Sequence, residues 1–273
     1  MVMAGRQSQR TRPRTDSMRR SRRFKGNRGE LLQVKGRINS VVNFGTVDGP
    51  GVRYVLFLQG CPLRCLYCHN PDSVCSGGGL GVWTAGETLS KILRYRRFIQ
   101  NGGVTFSGGE PLAQPAFVKA MVELLRQEGL HTAIDTSGAV PPDTVAEVID
   151  AADMLLLDIK AIDPQTSIKL TGMDNQNALA TLEHCEKTGK PVWIRHVLLR
   201  GYTLEDGQLA RLAEYLKPFK CMKNVELLPF HQWGAEKWEK IGRTYALAGV
   251  EPTTPEETQH AKDIFLAHGI QAH

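Results

Sequence analysis

From residue 53 to residue 230, short β-branched and apolar runs alternate with amphipathic helical stretches six times without a break in composition, and no other feature limits the fold so tightly. A helix between two strands carries the chain back to the end where the first strand began, so the strands must lie parallel. The runs are 53–59, 104–107, 132–136, 154–159, 192–199 and 225–230, short and apolar as strands covered on both faces should be. Between them, Thr84 and Glu87 have the spacing of a capping box, and Pro115 opens a helix with Val118, Met121, Val122 and Leu125 on one face. Further helices are predicted at 143–150, 176–188 and 205–216. A last one starts at Pro255, turns Ala261, Ile264 and Phe265 inward and stops before Gly269. Six β/α units fall short of the eight of a closed barrel. The expected fold class is therefore α/β, a partial (β/α)6 barrel of parallel strands with outer helices, whose open side can admit something larger than a metabolite.

The formal net charge of +6 suggests a polyanionic partner until the charges are located. Residues 1–29 hold ten Arg or Lys against the single acid Asp16, which leaves the rest of the chain at −3. That stretch has almost no large apolar residue and no apolar helical face. Residues 1–34 are therefore expected to be a disordered basic N-terminal extension, and 35–273 the catalytic domain. Nucleic acid is not an expected partner of the mildly acidic body. No apolar run approaches the ~20 residues that cross a bilayer, so a soluble, cytoplasmic protein with no membrane partner is expected.

Six cysteines without a secretory signal point to a reducing compartment, where clustered cysteines serve metals or catalysis more often than disulfides. Three fall within eight residues, in Gly60-Cys-Pro-Leu-Arg-Cys-Leu-Tyr-Cys-His-Asn70. This segment follows the first strand, at the C-terminal mouth of the sheet, where β/α barrels build their active sites. Three thiolates can ligate three irons of a cubane cluster and leave the fourth open to a small molecule. The competing reading is a zinc site of Cys61, Cys65, Cys68 and His69 in a nucleic-acid-binding module with a basic arm. Zinc ligands are usually spaced so that both side chains of a pair can turn inward, which the adjacent Cys68 and His69 are not. Cys75, Cys185 and Cys221 are not expected as ligands; Cys185 falls on an apolar helix face with Ala178 and Leu182.

The other candidate positions admit a plain and a functional reading. Gly108-Gly109 is a turn, or backbone laid against a charged ligand at a strand's C-terminal end, with Glu110 accepting from an ammonium group. Asp135 and Asp158 either meet a cation or cap neighbouring helices, and Lys160 stands two residues beyond Asp158. His231 is structural or reaches a ligand edge, and the Gly-rich loop carrying Asp48 is a turn or a contact. Arg195 and His196 lie on an aliphatic strand, where a charge needs a partner.

The spacing C-x-x-x-C-x-x-C, with Tyr67 before the last cysteine, resembles the signature of radical S-adenosylmethionine (SAM) enzymes. Around it, Gly45-Thr-Val-Asp-Gly-Pro-Gly51, Thr105-Phe-Ser-Gly-Gly-Glu-Pro111, Asp135-Thr-Ser-Gly138, Leu157-Asp-Ile-Lys160 and Val192-Trp-Ile-Arg195 are similar to the branch of that family that activates glycyl-radical enzymes. The similarity runs from about residue 37 to the end of the chain. It implies a 4Fe-4S cluster on Cys61, Cys65 and Cys68. It implies SAM as cosubstrate, bound through Tyr67, His69, Gly108, Gly109, Glu110, Asp158, Ile159, Lys160 and His231. It also implies a monovalent cation at Asp135, Thr136 and Asp158, and it turns Asp48 and Arg195 towards a partner's glycine loop. His196 stands where the family has Tyr.

The reaction so implied is reductive cleavage of SAM to methionine and a 5′-deoxyadenosyl radical, which leaves a glycyl radical on pyruvate formate-lyase under anaerobic conditions. Reduced flavodoxin or ferredoxin is the expected electron donor. Activation of another glycyl-radical enzyme is the alternative. Many such activases carry a ferredoxin-like insert with further cysteines, whereas here only Cys75 lies between Cys68 and the next helix.

Overall fold

The computed structural model describes residues 27–74 and 78–273. Strands β1 (Lys35–Gly45), β2 (Arg53–Leu58), β3 (Gly81–Thr84), β4 (Gly103–Gly108), β5 (Thr132–Thr136), β6 (Met154–Asp158), β7 (Val192–Leu198) and β8 (Met222–Pro229) form one sheet in the order β3-β1-β2-β4-β5-β6-β7-β8. The six expected runs are β2 and β4 to β8, each parallel to its neighbour. The sheet keeps two edges, β3 and β8, so it is an open barrel. The last residues of the chain line the β8 edge: Leu227 N donates to His273 O and His273 N to Val225 O, both over 2.9 Å.

The sequence pattern did not disclose β1 and β3, which add an antiparallel margin beside β2. β1 is half exposed and its alternation is broken by Gly36, Asn39 and Asn43, residues that strands disfavour. Register shifts between Ile38 and Ser40 and between Val42 and Gly45 break its period again.

Helices α1 (Arg28–Gln33), α2 (Ala85–Leu93), α3 (Arg96–Ile99), α4 (Pro115–Gln127), α5 (Pro142–Ala151), α6 (Pro164–Thr171), α7 (Gln176–Thr188), α8 (Asp206–Leu216), α9 (Ala235–Lys240) and α10 (Pro255–Ala267) complete the described chain. The Thr84–Glu87 capping box opens α2, and α4 buries Val118, Met121, Val122 and Leu125 as their spacing required. The short helices α3, α6 and α9 carry too few apolar residues for a period to show.

The expected extension needs one correction. Residues 28–33 form α1, capped by the Asn27 side chain, which accepts from Gly29 N. Leu31, Leu32 and Val34 pack against the main core, and Val34 O accepts from Ala85 N at 2.8 Å. These three supply the apolar face that the upstream sequence lacks. Residues 1–26 and Cys75 lie outside the described residues.

Alternation along the strands then builds two environments. One face, with Ile134, Leu155, Leu157 and Ile194, joins the helices in the main core. The other carries Ala133, Met154, Leu156 and Trp193, a small apolar floor inside the open barrel. Two residues further along three of these strands, the same parity brings Asp135, Asp158 and Arg195 to the inner face. Asp158, Arg195 and Glu226 sit in register across β6, β7 and β8.

Candidate active site

Beyond β2 the cysteine loop is held by its own backbone. Gly60 N donates to Ser73 O at 2.6 Å, Arg64 N to Thr171 O at 2.7 Å and Leu66 N to Leu170 O at 2.9 Å, so the end of α6 is its seat. Tyr67 lies beneath it in a second apolar cluster with Leu170, Leu199, Phe230 and Tyr245.

Cys61, Cys65 and Cys68 are free thiols at half-buried positions. Burial pushes Cys61 and Cys65 up to about 12, with neighbouring thiols adding to both shifts, and burial raises Cys68 as well. Three thiols so placed ionise together only if a cation compensates them, which is the property of a metal-cluster ligand set. Among the described residues no three His, Cys, Asp or Glu side chains converge on a single ion. His69, the fourth ligand of the zinc reading, instead stacks its ring on His231 at 4.4 Å. Cys185 is buried in the main core among helix-facing residues, and so is Cys221. A cleft of about 630 Å³ opens beside Cys61, between Arg64 and Pro141, within the size range of ligand pockets.

The Gly108-Gly109-Glu110 turn has a structural role that the sequence left open. A Cβ on Gly109 would stand 2.2 Å from Gly60 O, and one on Gly108 2.3 Å from Leu58 N. The missing side chains let the end of β4 run against the start of the cysteine loop, where Glu110 N donates to Gly60 O at 2.8 Å. Glu110 is fully buried and accepts four hydrogen bonds: from Leu112 N (3.0 Å) and Thr136 Oγ1 (2.8 Å) on one oxygen, from Ser137 N (2.9 Å) and Ser137 Oγ (2.6 Å) on the other. Burial raises its pKa while these donors oppose the rise. With both oxygens doubly engaged, the carboxylate has no acceptor site left for a ligand's ammonium, contrary to expectation.

The inner-face charges are paired. Lys160 Nζ meets Asp158 Oδ2 at 2.6 Å and stands 5.7 Å from the Tyr67 ring centroid. Burial alone would depress the Lys160 ammonium; Asp158, with Tyr67 and Cys65 behind it, outweighs burial and keeps it charged. Arg195 Nη1 meets Asp135 Oδ1 at 3.0 Å, with Glu226 Oε2 at 3.6 Å from its Nε, and Ser107 Oγ donates to the other Asp135 oxygen at 2.7 Å. Asp135 raises the Arg195 pKa beyond what burial takes away. Asp48 belongs to the same group: burial and then Asp135 raise its pKa, while Arg195 opposes them.

The three side chains expected around a monovalent cation go to different partners. Asp135 is on Arg195, Asp158 on Lys160, and the Thr136 hydroxyl is on Glu110 across the opposite face of β5. Ile159 is buried, and its carbonyl is 2.6 Å from Nδ1 of the buried His196. Ser107 and Glu226 were not anticipated; a polar residue at the inward parity of an apolar strand was the signal for both.

The 231–240 segment covers the end of the cysteine loop. His231 lies between His69 and Trp233, the latter 4.1 Å away and 86% exposed. Trp238 Nε1 donates to Cys68 O at 2.9 Å, and Lys237 Nζ to Asn70 Oδ1 at 2.9 Å. Neither Trp238 nor α9 left a recognisable trace in the sequence.

Comparison with known proteins agrees with this geometry. A sequence profile of the radical SAM superfamily matches residues 55–213. The pyruvate formate-lyase-activating enzyme of Streptococcus mutans is 40% identical over 240 residues, 85% of this chain and 91% of its own length. That of Staphylococcus epidermidis is 42% identical over 236 residues, 84% of this chain and 94% of its own. The chain belongs to the radical SAM superfamily, in the family of pyruvate formate-lyase-activating enzymes.

As a radical SAM protein it takes a 4Fe-4S cluster and SAM, and the three-thiol donor set fits the cluster. The radical SAM fold is shared with a solved domain of a pyruvate-formate lyase-activating enzyme from Bacteroides vulgatus, at TM-score 0.54 and 26% identity over 63% of this chain and 98% of that one. A radical SAM methyltransferase from Sphaerobacter thermophilus matches in fold at TM-score 0.59 and 20% identity, over 81% of this chain and 65% of that one. No helix among the described residues is long and apolar enough to cross a membrane.

Proposed function

We propose that the protein installs a glycyl radical on pyruvate formate-lyase, with Cys61, Cys65 and Cys68 holding the cluster. What carries the reading is the meeting of three free thiols with the Lys160–Asp158 pair at one end of a parallel sheet, in a chain 40% identical to an enzyme of that name. When bound, the cluster supplies the electron that cleaves SAM into methionine and a 5′-deoxyadenosyl radical.

The chain's own residues position the reactants. Lys160, kept charged by Asp158, offers an ammonium to the SAM carboxylate. Main-chain groups of Gly108 and Gly109, in place of the engaged Glu110 carboxylate, face the SAM amino group. Tyr67, Ile159, His69 and His231 border the adenosine side. Asp48 and Arg195 meet the partner's glycine loop, which enters between the two sheet edges. Asp135 and Glu226 hold the Arg195 guanidinium in place. Reduced flavodoxin or ferredoxin is the proposed donor, and the cytoplasm, where thiols stay reduced, the proposed setting.

The test is anaerobic incubation of the iron-loaded protein with SAM, a low-potential donor and pyruvate formate-lyase. A glycyl-radical signal in electron paramagnetic resonance should appear with 5′-deoxyadenosine, and no signal on a partner lacking its radical glycine. SAM cleavage without that radical would leave the chemistry standing and show that pyruvate formate-lyase is not the substrate. Iron binding without SAM binding or cleavage would overturn the reading.

A further inference from the structure

Arg53 opens β2 and is 0% exposed, the largest of the fully buried side chains. The hydrogen bonds of its guanidinium go to neutral groups. Nε donates to Thr105 Oγ1, Nη1 to Pro50 O (3.1 Å) and Gly102 O, and Nη2 to Val104 O (2.8 Å), with His131 Nδ1 at 3.3 Å. Burial pushes it down to about 10. The nearby Asp48 and Asp153 carboxylates offset part of the cost of burial, but the acceptors it is hydrogen-bonded to are neutral, and an aliphatic residue would fill the same space. The reason for an arginine has to lie in what its donors hold.

They hold the 46–52 loop. Pro50 O is bound directly, and Thr105, which accepts from Arg53, donates its own hydroxyl hydrogen bond to the main-chain carbonyl of Asp48 at 2.7 Å. The loop has little else to fix it. Three of its seven residues after Gly45 are Asp48, Gly49 and Gly51, and Val47 is 74% exposed. Gly51 is pressed so close to β4 that a Cβ would stand 2.8 Å from Asn101 O. Within this frame the Asp48 carboxyl lies against Gly45 and feels both Asp135 and Arg195.

We infer that Arg53, acting through Thr105 and Pro50, is the positioning residue that sets Asp48 for the polypeptide substrate. The inference rests on the reading of Asp48 as a contact for the partner's glycine loop. The guanidinium makes a glycine-rich loop into a fixed wall of the opening, and its effect is on partner binding more than on the radical chemistry at the other end of β2.

The experiment compares the iron-loaded wild type with Thr105→Val, Thr105→Ser, Arg53→Lys and Asp48→Asn. It measures KM and kcat for radical formation on pyruvate formate-lyase and amide hydrogen exchange over 46–52. Thr105→Val removes one hydroxyl from the path and should raise the partner KM about tenfold with kcat little changed, on the scale of one lost hydrogen bond to a charged group. Exchange in 46–52 should quicken in parallel, and Thr105→Ser should restore both. Arg53→Lys reaches fewer acceptors and should move both in the same direction. Wild-type exchange and wild-type KM in Thr105→Val would overturn the inference. If Asp48→Asn keeps the wild-type KM while Thr105→Val quickens exchange, the Asp48 reading is the one that fails, and the positioning role falls with it.

Discussion

The indole Nε1–H of Trp238 donates to the main-chain carbonyl of Cys68 over 2.9 Å, and so ties α9 to the third cysteine of the loop. Trp238 also packs near Tyr245 at 5.9 Å, within the apolar cluster that holds Tyr67. Trp238→Phe keeps most of that packing and removes the hydrogen bond, a loss of about 1 kcal/mol. Iron content after anaerobic loading should match wild type, whereas iron release to a chelator should run roughly fivefold faster, the rate equivalent of that loss. An unchanged release rate would mean that the 231–240 segment does not guard the cluster.

Glu110 is held by residues far along the chain, and its replacement should read out as stability. In Glu110→Gln the amide NH2 must face N–H or O–H donors on whichever side it turns, leaving donors unpaired in a fully buried place. A loss of about 2–3 kcal/mol is expected, seen as a lower Tm of the iron-loaded protein. If Tm is unchanged while SAM affinity falls, the carboxylate serves the ligand after all.

Cys185 and Cys221 are buried in the core, away from the cysteine loop. Alanine at either should leave iron content at the wild-type level with a cost of about 1 kcal/mol for the small volume lost. Alanine at Cys61, Cys65 or Cys68 should abolish cluster binding. Iron analysis and the visible absorption of the cluster distinguish the two groups.

The N-terminal boundary follows from α1. A chain starting at Asn27 should match the full-length protein in Tm. One starting at Lys35 loses the packing of Leu31 and Leu32 and should be destabilised by about 1–2 kcal/mol, because both are only partly buried. Equal Tm for the two would show that α1 adds nothing to the fold.

The parallel strands were legible because each is a short unbroken apolar run, as in Arg53–Leu58 and Met154–Asp158, and burial on both faces demands that composition. β1 was not, since a half-exposed, bulged strand with Gly36 and Asn39 obeys no simple period. In the site, the strand-end positions of Asp135, Asp158, Lys160 and Arg195 could be read, but their pairing could not. Asp135 and Arg195 lie 60 residues apart, and Glu110 and Thr136 lie 26 apart, so which charge meets which hydroxyl or guanidinium is decided by sheet order and register. Arg53 shows the same limit: it stands at the head of an apolar run, and its burial depends on the 46–52 loop that folds over it.

His131 links that buried arginine to pH. Arg53 Nη2 is always a donor, so His131 Nδ1, 3.3 Å away, must be the unprotonated acceptor. The ring lies at the surface with this nitrogen turned inward. Its pKa falls below the ordinary 6.5, first by partial burial and then by the Arg53 charge, with Asp153 opposing. A histidine with a lowered folded-state pKa contributes nothing unfavourable above 6.5, where both states are neutral. As pH drops, the unfolded chain takes up the proton first, so stability is lost going down in pH. Protonation of the folded form would also set two donors face to face at Arg53. Between about pH 7 and about pH 5.5, where histidines titrate, Tm should fall and hydrogen exchange in 46–52 should quicken relative to its intrinsic rate. His131→Gln retains an acceptor without the charge and should flatten the exchange dependence of 46–52 and shrink the fall in Tm, the remainder of which belongs to His69, His196 and His231, whose pKa values burial also lowers. If the acid-side loosening of 46–52 survives in His131→Gln, the responsible group is not His131.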